Sequence, residues 1–119
     1  MPTPIPKKEL LKYVRFLDKA KKYVGLSEYE IKLATDTVDL GTNYAEVDAD
    51  VFEKTLKVSL TKNFLQVSDK RKVNILLHEL VHGRISVFNK QSEDLLENLE
   101  EELANDITRG FERLKKLSF

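Results

Sequence analysis

Apolar residues recur at three- and four-residue steps from the start of the chain, at Leu10, Leu11, Val14, Leu17, Ala20 and Val24. That period predicts an amphipathic helix beginning near Pro6 and stopped by Gly25. Its other side carries Lys7, Lys8, Lys12, Arg15, Lys19, Lys21 and Lys22 and reads as a solvated face. Between Ser27 and Leu60 the repeat shortens to two residues, with Tyr29, Ile31 and Leu33 and then Leu56, Val58 and Leu60 alternating with polar positions. Three short strands are expected there, near 29 to 35, 43 to 49 and 54 to 60. Leu40-Gly41-Thr42-Asn43 and the stretch 48 to 53 supply the turns.

The helical period then returns twice. Ser68 stands as a cap before a wide apolar stripe of Val73, Leu76, Leu77, Leu80, Val81 and Ile85, which marks the most buried helix. Ser92 opens a last helix with Leu95, Leu96, Leu99, Leu103, Ile107, Phe111 and Leu114 at helical spacing. The order of helix, three strands and two helices makes this an α+β chain. Its 119 residues suit one domain, 1–119, with a core that needs no staples.

Composition narrows the chemistry. With no cysteine, disulfides and thiolate metal sites are excluded, so a metal ion can be held only by nitrogen and oxygen. Twenty basic residues balance twenty acidic ones, which removes the positive field that nucleic acid or an anionic membrane would need. The charge is unevenly spread, because residues 28–53 hold eight acids and one lysine, complementary to the basic first helix. No stretch reaches the roughly 18 apolar residues of a membrane span. The start of the chain has no apolar signal region, so a cytoplasmic location is expected.

One motif carries chemistry, His78-Glu79-Leu80-Val81-His82. Residues four apart on a helix differ by about 40° in angle and about 6 Å in height, so both imidazoles lean toward one point. A zinc ion fits there at about 2.0–2.1 Å from each nitrogen, and Glu79 lies close enough to serve as base without being a ligand. A histidine beside an apolar stripe is more often a core residue. These are the only two histidines, however, and chance sets such a pair around a glutamate in roughly one such composition in 600. Two unpaired imidazoles on the most apolar helix would also be costly unless something binds them.

A hydrolytic zinc site takes a third protein ligand and keeps one position open. With no other histidine and no cysteine, a carboxylate is left, and the densest supply is Glu100, Glu101, Glu102 and Asp106. At this point the chain resembles the gluzincin metallopeptidases, with HELVH as metal-binding helix followed by a glutamate helix. It is most similar to the minigluzincins and to phage-type and ImmA/IrrE-like zincin domains, over roughly residues 29 to 114. The resemblance implies a zincin-like fold, one Zn2+ held by His78, His82 and a glutamate, and a peptide or protein substrate. In such proteins the liganding glutamate is followed three residues later by a small residue and four later by Asp or Asn. Glu101 with Ala104 and Asn105 fits that pattern, and so does Glu102 with Asn105 and Asp106; Glu101 is preferred for its alanine.

The expected function is therefore a zinc-dependent metalloendopeptidase in which Glu79 takes a proton from water and returns it to the leaving amine. Gluzincins usually add a downstream Tyr or His to stabilise the oxyanion, and the chain has neither after His82. Arg84, Arg109, Arg113 or Tyr44 are the candidates for that task. An exposed sheet edge would take an extended peptide by strand addition. The tail Leu117-Ser118-Phe119 is a candidate to cover the cleft, as in latent minigluzincins. The alternative is a non-catalytic zinc-binding module of the same fold.

Overall fold

The computed structural model describes residues 2–89, 104, 105, 108 and 109. The lead-in is extended and tied to the chain after the first strand: Ile5 N–H donates to Thr35 O at 2.9 Å, and Thr37 N–H to Thr3 O at 2.8 Å. Helix α1, Lys7–Ala20, follows, and a 3-10 turn, Lys21–Val24, continues it to Gly25, whose φ of 77° lies in the left-handed region that ends helices.

Three strands come next: β1 (Glu30–Leu33), β2 (Ala45–Asp50) and β3 (Thr55–Leu60). Their order is β1-β3-β2, with β3 central, parallel to β1 and antiparallel to β2. Both expected turns are present. Asn43 N–H donates to Leu40 O across the first, while Asp50 Oδ1 accepts the N–H groups of Phe52 and Glu53 in the second. The register places Ile31, Leu33, Leu56, Val58, Leu60, Ala45, Val47 and Ala49 on one face, which is the core face.

A short helix α2, Lys62–Leu65, precedes the long α3, Asp69–Asn89. The apolar periodicity does not announce α2, because one turn is too short to show a period; Thr61 caps it, accepting from Phe64 N–H at 3.4 Å. The cap expected for α3 is made, with Arg71 N–H donating to Ser68 Oγ at 3.3 Å. Val73, Leu76, Leu77, Leu80 and Val81 are buried, and Ile85 is half-buried. Gly83 lets α3 press on the sheet: a Cβ there would stand 3.2 Å from Leu56 Cδ2 and 3.5 Å from Val47 Cγ2.

One expectation changes. The buried side of α1 is Tyr13, Phe16, Leu17 and Ala20, whereas Leu11 is 53% exposed. The rotation is explained by Tyr13, whose ring meets Phe64 of α2 edge to face at 5.2 Å, so the aromatic residues rather than the leucine pair fill the gap between helices. Lys72 is buried at 8% exposure, its Nζ 5.6 Å from the Tyr13 ring centroid and 5.9 Å from that of Phe64, a cation–π arrangement that compensates part of its desolvation. Of the final helix, Ala104, Asn105, Thr108 and Arg109 are described and helical; Ala104 and Thr108 are buried, Asn105 and Arg109 exposed. The stripe expected at Leu95, Leu96, Leu99, Leu103, Ile107, Phe111 and Leu114 and the tail Leu117-Ser118-Phe119 lie outside the described residues. Among the described residues, no helix is long and apolar enough to cross a membrane.

Candidate metal centre

The buried stripe of α3 turns its flank toward β2, and the polar residues of that flank recur at four-residue steps: Asn74, His78, His82 and Ser86. All four line a groove along the seam between α3 and β2. The groove consists of two adjoining hollows of about 410 and 310 Å3, both bordered by Asn43, Ala45, Glu79 and His82. Thr42, Tyr44, Asn74, Ile75, His78 and Asn105 complete the first; Leu40, Glu46, Val47 and Ser86 complete the second. Asn74 and Ser86 were not singled out from sequence, although their spacing from the histidines was the signal that could have found them.

His78 Nε2 and His82 Nε2 stand 3.0 Å apart, with ring centroids at 4.6 Å and ring planes at 73°. Two nitrogens bound to one tetrahedral ion at about 2.0–2.1 Å would be about 3.3–3.4 Å apart, so the pair needs to open by only a few tenths of an ångström. The same distance also suits one ring donating to the other. The donor set therefore fits a divalent ion of borderline softness, for which neutral imidazole is a usual ligand. Both rings are half-buried, with the groove open above them.

Glu79 is half-buried and borders both hollows, one residue on from His78 and so about 100° round the helix. It therefore borders the same groove as the two rings. Tyr44 also lines the groove. Its ring lies under the Arg71 guanidinium at 5.3 Å, and its carbonyl accepts from both the N–H and the hydroxyl of Thr61, which holds the start of β2 in place.

Of the other oxyanion candidates, Arg84 turns away from the groove, its side chain lying against Gly25 and its guanidinium 5.9 Å from the Phe88 ring centroid. Arg109 is exposed and donates from Nε to Asn105 O at 3.4 Å. Arg113 lies outside the described residues, as do Glu100, Glu101, Glu102 and Asp106. Among the described residues, no group of three His, Asp or Glu side chains converges on one point, so the described donors are the two imidazoles. A separate hollow of about 330 Å3 between the lead-in and residues 37–41 is lined by neither histidine nor Glu79.

Compared with family models, curated proteins and solved structures, the chain finds no match in any of the three.

Proposed function

We propose that the chain is a small zinc-dependent metalloendopeptidase of zincin-like fold, with His78, His82 and Glu101 as ligands and Glu79 as general base. The observation that carries this reading is the approach of the two Nε2 atoms to 3.0 Å beside a carboxylate, in the wall of an open groove. When bound, zinc would supply Lewis acidity and lower the pKa of water toward neutrality.

Glu79 accepts the proton of the attacking water and delivers it to the leaving amine nitrogen, so the carboxylate ends each cycle as it began. Tyr44 is the candidate donor to the carbonyl oxygen, being the member of the earlier set that lines the groove. β2, at the end of the strand order beside the groove, is the element along which an extended peptide would lie. Glu101 is preferred over Glu102 for the alanine that stands three residues after it. The openness of the groove favours turnover over a structural site, which would close all four positions with protein ligands.

The test is zinc content and casein cleavage for the wild type and Glu79→Ala. The variant is expected to keep its zinc and lose at least about a hundredfold in rate, the usual worth of a general base. A zinc-loaded wild type no more active than the variant would overturn the proposal.

A further inference from the structure

Arg71 opens the stripe of α3 that runs on through Asn74, His78 and His82. It precedes His78 by about 10 Å along the helix axis and about 20° around it, so both side chains leave the helix on the same side. The far end of Arg71 is placed by Tyr44: the guanidinium stands 5.3 Å from the ring centroid, and Tyr44 lines the first hollow with His78 and Glu79. An aromatic face attracts a cation without using any N–H, so the donors of the guanidinium keep their capacity. Only the backbone N–H of Arg71 is spent, on Ser68 Oγ. Among the described residues no ion pair includes Arg71. Asp69, two positions back, is taken by Lys12 at 3.4 Å. Glu46, two residues beyond Tyr44 on the same strand face, makes no ion pair with Arg71 and borders the second hollow, not the first. The local charge also favours an anion, since residues 62–72 hold Lys62, Lys70, Arg71 and Lys72 against Asp69 alone.

We infer that Arg71 is the carboxylate-reading residue of the groove, taking an acidic side chain or the C-terminal carboxylate of a peptide whose chain continues past the two histidines. The inference rests on the peptidase reading for the bond that is cut, and not for the binding. A guanidinium presents paired N–H groups in a plane that matches the two oxygens of a carboxylate, which a lysine ammonium cannot do. An extended chain covers about 3.3–3.6 Å per residue, so a carboxylate held by Arg71 stands three or four residues from the scissile bond beside His78. A neutral peptide would leave the fork of donors to water, and a basic one would meet a like charge there.

The test is fluorescence anisotropy with the full chain and zinc, in Glu79→Ala so that the peptide stays whole. Three labelled octapeptides of threonine and glutamine are compared: a C-terminal amide, the same chain with a free C-terminus, and the amide with one central glutamate. At least one carboxylate peptide is expected to bind about fivefold more tightly than the neutral amide, the upper range of an exposed ion pair, and less so at high salt. A gain confined to the free C-terminus marks a reader of chain ends; one confined to the glutamate marks a reader of acidic side chains. Adding Arg71→Gln should bring the carboxylate peptides down to the neutral amide, and Arg71→Glu should make lysine preferred in place of glutamate, with thermal midpoints showing that each variant folds. Equal affinities for all three peptides, no binding of any, or a loss in Arg71→Gln shared equally by the neutral amide would each overturn the inference. Cleavage by the wild type is read separately. A carboxylate preference without cleavage removes the peptidase reading and leaves Arg71 its role, whereas cleavage without that preference does the reverse.

Discussion

Tyr13 ties three elements together through one side chain. Its ring packs on Phe64 and under Lys72, while its hydroxyl donates to Glu9 Oε2 at 3.0 Å. That bond, foremost, holds the Glu9 carboxyl below the usual carboxylate range; burial opposes it, and Lys12 and Lys72 add to it. Burial, reinforced by Glu9, pushes the Tyr13 hydroxyl well above the ordinary tyrosine value, so it remains a donor throughout the neutral range. Lys12 reaches both Glu9 and Asp69 at 3.4 Å, which joins α1 to the start of α3. A carboxylate whose pKa is depressed on folding adds stability above its unfolded value of about 4.3, and that stability is lost as the pH falls through the folded value. Tyr13→Phe is therefore expected to cost about 1 kcal/mol at pH 7 and progressively less below about pH 4, as thermal midpoints of both proteins across that range would show. None of this network was legible beforehand. Tyr13 and Phe16 fall between the leucines that define the period, and only the neighbouring helices decide which of two adjacent stripes turns inward.

At the scale of elements, α3 carries the site because three demands coincide on it. Its apolar stripe anchors it, its polar flank at four-residue steps faces the groove, and Gly83 brings the helix close to Leu56 and Val47. A glycine inside a helix sacrifices about 1 kcal/mol relative to alanine, so its place beside His82 is better explained by close approach than by helix formation. Gly83→Val should push the helix off the sheet. A destabilisation of about 1–3 kcal/mol is expected from overpacking, measurable by urea unfolding, together with weaker zinc binding as the groove widens. The strands and their turns were legible to within a residue or two, because a period of two and an Asx turn are local signals. The single turn of α2 was not.

For the molecule as a whole, zinc bound by the native state and not by the unfolded chain must raise stability by mass action, by about 2.7 kcal/mol at a free concentration a hundred times the dissociation constant. Wild-type protein is expected to melt higher with zinc than after chelation, and His82→Ala should show no such difference. An equal rise in the variant would mean that the ion sits elsewhere. The charge distribution also operates at this scale. It was legible as eight acids within residues 28–53 of the sequence, but that Glu46 is the one of them that borders the groove was not.

The spacing of His78, Glu79 and His82 determined by itself that two imidazoles share one side of a helix and that a carboxylate stands a third of a turn away, because helix geometry relates near neighbours without reference to the rest of the chain. Sequence periodicity likewise set α1, α3, the three strands and the buried stripe of α3. Tertiary packing alone decided that β2, about thirty residues earlier in its own hairpin, forms the opposite wall of the groove, that Arg84 leaves it, that Lys72 is buried and that Glu46 rather than Asp48 borders it. Those choices depend on which surfaces exclude water together, and that is a property of long-range contacts which no local repeat encodes.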